Sequence, residues 1–183
     1  MKKLTIALIL FLTSNLLNAQ ELYQTYTNGK IEVAIKDGSL QGNLYLHIDD
    51  VGIILTQLDR AKFLDFINNS YLKYIEWSDL AKKNEITKMS KVIETATFKS
   101  FFKYSGWKLS NVKISAMISI ENGTPQYFLF LPAMQDSNNQ YIKSSPQVLL
   151  LDLNVMSELT TYIDEEKISE FIKLKNTQEN LFK

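Results

Sequence analysis

The 183-residue chain contains no cysteine and a single histidine, His47. The first absence excludes disulfides, thiolate catalysis, cysteine-ligated zinc and a lipidated cysteine anchor. The second leaves a typical zinc site without ligands, because such sites draw on His and Cys. Glycines are few (6) and scattered through turns, so no run of them cradles a phosphate. Signatures of a nucleophile elbow, a phosphate loop or a dinucleotide fold are missing as well. Beyond the first residues, no apolar run approaches the roughly 20 residues of a membrane-spanning helix.

What is present begins with an export segment. Lys2 and Lys3 precede an almost unbroken apolar run over residues 4–12, and Leu17 and Ala19 stand at −3 and −1 before a cut at Gln20. Ser14, Asn15 and Asn18 interrupt the run too early for a membrane anchor. Residues 1–19 therefore read as a cleavable signal peptide, which places the protein in the periplasm or outside a bacterial cell. Cleavage leaves 164 residues, and losing the two lysines leaves 18 basic against 20 acidic side chains. That slightly acidic balance speaks against a dedicated nucleic-acid binder, which shows a basic excess. A hydrophobic content of 45% lets one domain of this size stand on core burial without disulfides.

Turn signals parse the rest. Asn28-Gly29 and Asp37-Gly38 are hairpin marks, because both dipeptides readily supply the positive φ that tight turns need. Between and after them Ile31, Val33 and Ile35, then Leu44, Leu46 and Ile48, alternate with polar residues as in half-buried strands. With the β-prone run Tyr23 to Thr27 ahead of Asn28-Gly29, a short strand from residue 53 completes four. Residues 59–83 then predict an amphipathic helix capped by Asp59, with Phe63, Ile67, Tyr74 and Trp77 on its buried face. The second half repeats the order: strands over 91–104, 112–120, 126–131 and 148–151, then a helix from Asn154. Asp164-Glu165-Glu166 shifts that helix's apolar phase and predicts a break, and residues 176–183 read as a frayed tail. The expectation is an α+β fold of antiparallel meanders, each followed by an amphipathic helix. Residues 20–175 form one globular domain whose pattern halves, 20–88 and 89–175, admit a pseudo-symmetric (ββββα)×2 duplication.

Aligning Asn28-Gly29 with Ser105-Gly106, and Asp37-Gly38 with Asn122-Gly123, keeps these elements in order. Leu58-Asp59 and Leu153-Asn154 then fall at equivalent strand-to-helix junctions. This doubled order resembles the architecture of Whirly and PUR-repeat proteins, which bind single-stranded nucleic acid on a curved sheet. The resemblance spans most of the mature chain and is one of topology, with no motif of either family. An export segment and an acidic balance point away from carrying over their ligand.

Few residues suggest chemistry. His47 falls mid-strand on the face opposite Leu44, Leu46 and Ile48, and reads as a half-exposed strand histidine with no nucleophile nominated beside it. Asp49-Asp50 sits in a turn, where aspartate satisfies backbone amides. Asp136, Asn138 and Gln140 begin like a calcium loop, but Tyr141 and Gln147 stand where such a loop needs glycine and a carboxylate. The densest pairing of cations with aromatics is Lys99, Phe101, Lys103, Trp107 and Lys108. Alternation puts Lys99, Phe101 and Lys103 on one face and Phe98, Phe102 and Tyr104 on the other. These residues are the candidate ligand site. No residue pattern calls for a catalytic group, a metal or a cofactor. The functional expectation is an exported, non-enzymatic binding or interaction protein for an unidentified protein or polymer. One alternative is a polyanion, single-stranded nucleic acid or glycan binder acting through that hairpin. The other is a hydrolase whose carboxylates only the fold brings together.

Overall fold

Alternation and turn chemistry produce eight strands and three helices in the computed structural model, which describes residues 20–36, 39–136 and 138–181. The segment read as a signal peptide (1–19) and the expected turn at Asp37-Gly38 lie outside the described residues. Strands β1 (Gln20–Tyr26), β2 (Gly29–Lys36), β3 (Ser39–Ile48) and β4 (Val51–Leu55) come first, followed by helix α1 (Gln57–Lys83). Then come β5 (Lys88–Lys103), β6 (Trp107–Glu121), β7 (Thr124–Leu131) and β8 (Gln147–Leu150). Two helices, α2 (Leu153–Tyr162) and α3 (Glu165–Asn180), end the chain.

The fold is α+β. All eight strands form a single antiparallel sheet in chain order, each pairing with its sequence neighbour. Asn122 (φ 50°) and Gly123 (φ 78°) both take the positive φ of a tight hairpin turn, the conformation their dipeptide favours. Cross-strand partners share a face, so Leu44 and Leu46 of β3 meet Leu55 and Ile53 of β4, and Ala116 of β6 meets Leu129 of β7. These side chains point to an inner face where Phe63, Phe66 and Ile67 of α1 and Leu159 and Ile168 of the last helices join one continuous core. A buried hydrogen bond between Ser70 and Tyr127, 2.6 Å long, ties α1 to β7. The sheet curls: Asn28, in the first hairpin turn, donates its side-chain amide to the Leu150 carbonyl of β8 at 3.2 Å.

Two expectations change here. The halves are not self-contained, because α1 lies chiefly across β5 rather than across the four strands before it. Helix α2 in turn packs on β1, and α3 on β3. The helices have crossed over, so each half of the sheet is roofed largely by the other half's helix. The second change is at the ends of helices. Thr56, not Asp59, caps α1: its hydroxyl accepts from the Asp59 amide, while the Asp59 carboxylate reaches back to the Thr56 amide. Helix α3, for its part, spans Glu165–Asn180 and so includes part of the 176–183 segment. The break at residues 163–164 is present, with Asp164 accepting from the Glu166 and Lys167 amides to start α3.

Candidate functional site

Register decides which hairpin residues share a surface. Lys99 stands opposite Asn111, Phe101 opposite Leu109, and Lys103 opposite Trp107. Strand β4 sets Ile54 beside Lys99 and Gly52 beside Phe101. From β3, His47 lies beside Gly52 and Tyr45 beside Ile54. These residues occupy the outer face of the sheet, away from the helices. Lys108 does not belong to this group. It pairs in register with Phe102, on the core-facing side, and its ammonium lies 3.1 Å from a carboxylate oxygen of Asp136. The Asn138 amide, and after it Lys108, hold the Asp136 carboxyl below its ordinary range.

Of the five candidate residues, Lys99 and Lys103 are exposed and form no ion pair among the described residues. Trp107 is 43% exposed. Phe101, by contrast, is only 4% exposed. Its ring is enclosed by His47 at 4.8 Å, Trp107 at 5.3 Å and Tyr45 at 5.8 Å between ring centres. Gly52 makes room for it, since a Cβ there would strike the Phe101 ring and the Leu46 carbonyl. Phe101 therefore supports the surface without presenting a ring to it, and the exposed ring is Trp107.

His47 differs from expectation in the same way. It is 3% exposed, not half-exposed, because Phe101 and Trp107 close over it edge-on. Its Nε2 lies 2.9 Å from Glu32, whose other oxygen takes the Lys30 ammonium at 2.8 Å. Burial lowers the imidazole pKa below 6.5, partly opposed by the Glu32 carboxylate. Lys30, Glu32 and His47 thus form a polar chain whose inner end, the imidazole, lies under the aromatic pair.

At the tip of the hairpin, Lys103 also borders a polar cleft of about 620 Å³, shared with Asp49, Asp50, Lys143 and Gln147. The Lys103 amide donates to the Asp50 carbonyl at 2.8 Å, which fixes the strand against that turn. Lys143 arrives on the 132–146 loop, whose own bridge joins Gln135 to Lys143. Polarity marks this segment as a loop, and nothing in its composition shows where it folds back. Two carboxylates of the Asp164-Glu165-Glu166 cluster are engaged elsewhere: Asp164 caps α3, and Glu165 approaches Arg60 of α1 at 2.7 Å. Among the described residues no group of three or more His, Asp and Glu is placed to hold a metal ion. No described helix is long and apolar enough to cross a membrane. No protein-family model matches the chain, and neither a curated protein nor a solved structure matches it. The resemblance to Whirly and PUR-repeat proteins drawn from element order finds no support in these comparisons.

Proposed function

We propose that this is an exported binding protein that takes an anionic glycan on the outer face of the β5–β6 hairpin. The observation that carries the reading is the grouping of Lys99, Lys103 and Trp107 on one solvent-facing surface. Neither ammonium forms an ion pair among the described residues, and the ring is buttressed from below by Phe101 and His47. Two cations spaced roughly 13 Å along a strand suit a polymer bearing repeated sulfates or carboxylates. A half-exposed indole held edge-on by its neighbours offers a rigid apolar surface for a sugar ring. The slightly acidic mature chain favours a glycan over nucleic acid.

Titration against a sulfated glycan such as heparin, and against a single-stranded oligonucleotide, at two salt concentrations tests this. Each neutralised anion adds to the salt dependence of affinity, so the double variant Lys99→Ala, Lys103→Ala should flatten that dependence. Trp107→Ala should weaken binding by about 1–3 kcal/mol and leave the salt slope nearly unchanged, by analogy with stacked bases. Lys108→Ala should leave glycan affinity intact, since its ammonium faces Asp136. No binding by wild type at low salt would end the proposal, and preference for the oligonucleotide would transfer it to nucleic acid.

The cleft bearing Asp49 and Asp50 keeps a hydrolase as a second reading, because two carboxylates and two lysines border one space. Both aspartates are exposed turn neighbours, whereas glycoside hydrolysis sets its acid and base on either side of the scissile bond. Release of reducing ends from a glycan, abolished by Asp49→Asn or Asp50→Asn, would support that reading.

A further inference from the structure

At the far end of β5 the sheet narrows to a three-stranded ribbon of β5, β6 and β7, since β4 pairs only with residues 99–102 of β5. The last turns of α1 lie over this ribbon. There Ala81 packs with Ile118 and Ile120 in a small core distinct from the main one. Above that floor, Trp77, Leu80, Asn84, Ile86, Met89 and Lys91 surround an open groove of about 440 Å³. Leu80 is 49% exposed and Ile86 38%. A largely apolar concavity of this size, with few polar groups at its border, has the makeup of a small-molecule site.

Two polar side chains, Asn84 and Lys91, stand at this border, and only Lys91 is charged. The Asn84 side-chain amide is committed to the Leu80 carbonyl at 2.7 Å. The Lys91 ammonium sits 4.3 Å from the centre of the Trp77 ring, a cation–π contact that holds the charge at the groove. Lys91 forms no ion pair among the described residues, and no carboxylate lines the groove. Hydrocarbon walls with one unneutralised cation at the rim complement a ligand with an apolar body and an anionic head.

We propose that the groove binds a single-chain anionic amphiphile of the fatty-acid class. The chain lies along Leu80, Ile86 and Met89, and the carboxylate meets Lys91. The site is separate from the glycan face, because Lys91 and Lys103 lie roughly 40 Å apart along an extended strand.

The chain has two tryptophans, so labelling with 5-fluorotryptophan gives one fluorine signal for each end of β5. Dodecanoate, titrated below its micelle concentration, should move the Trp77 signal saturably and leave Trp107 in place. Dodecanol should bind about three- to fivefold more weakly, the contribution of one solvent-accessible ion pair. Lys91→Gln should bring dodecanoate down to the affinity of dodecanol, and Leu80→Ser should weaken both ligands. Circular dichroism would confirm that both variants fold, which is expected because the altered side chains are exposed. An unmoved Trp77 signal would overturn the proposal. So would equal affinity for the two ligands in wild type, or unchanged dodecanoate binding by Leu80→Ser. A ligand-free dimer that Leu80→Ser dissociates would assign the groove to a second copy of the chain and overturn it too.

Discussion

His47 is a base kept from water beneath two aromatic rings, and its titration should be visible in the stability of the whole chain. Burial sets its folded pKa below the unfolded value of 6.5. On acidification the unfolded chain therefore takes up this proton before the folded one does. The histidine's contribution is complete above about pH 6.5 and is lost as pH falls toward the folded pKa. The urea midpoint should drop between pH 7 and 5, and His47→Gln should remove the part of that drop due to His47. Glu32→Gln should lower the imidazole pKa further, because that carboxylate is the principal group raising it. With a single histidine in the chain, the imidazole resonance needs no assignment by mutation. A midpoint that rises from pH 7 to 5 would contradict this account. The placement of Lys99, Phe101 and Lys103 on one face was legible, because period-two alternation survives whatever pairs with the strand. The burial of Phe101 was not. It depends on the missing side chain of Gly52 and on the His47 ring, which register alone brings alongside.

Among the helices, α1 shows how local signals and distant contacts divide the information. Its apolar spacing marked Phe63 and Ile67, which are 0% and 2% exposed. Ile75 falls beside that stripe and is 42% exposed, because the buried face runs through Phe63, Ile67, Ser70, Ser78 and Ala81. Arg60 was missed entirely, since a cation in the first turns of a helix ordinarily points to water. Here it is 2% exposed, with Nη1 and Nη2 unpartnered among the described residues and Nε opposite Glu165 of α3 without a well-aimed hydrogen bond. Burying a guanidinium beside one half-exposed carboxylate recovers little of the desolvation cost. Arg60→Met should consequently be neutral or stabilising in urea denaturation. Glu165→Ala, which leaves the cation buried without its carboxylate, should cost about 1–3 kcal/mol. Equal losses from both changes would mean that the pair itself is a net stabiliser.

At the scale of the whole molecule, the number and order of elements followed from turn dipeptides and apolar periods, while the union of two meanders into one sheet did not. Nothing local to β4 or β5 reveals that Val51 pairs with Phe102, and that junction merges the halves. The crossed helices follow from it. Because α2 and α3 pack on β1 and β3, removing residues 153–183 should uncover apolar surface around Ile31, Val33, Leu44 and Leu46. The truncated chain should bind a hydrophobic dye and lose cooperative unfolding, whereas a sharp transition near the wild-type midpoint would show that the first strands need no such cover. Sequential pairing also makes assembly directional. A chain that emerges N-terminus first presents each new strand to a partner already formed, so the sheet can grow by short loop closures, the kind that fold fastest. The helices that roof β1 and β3 are the last to appear. Until then the nascent sheet carries its stickiest surface uncovered, and the time to synthesise these helices becomes the window in which a holding chaperone would matter most.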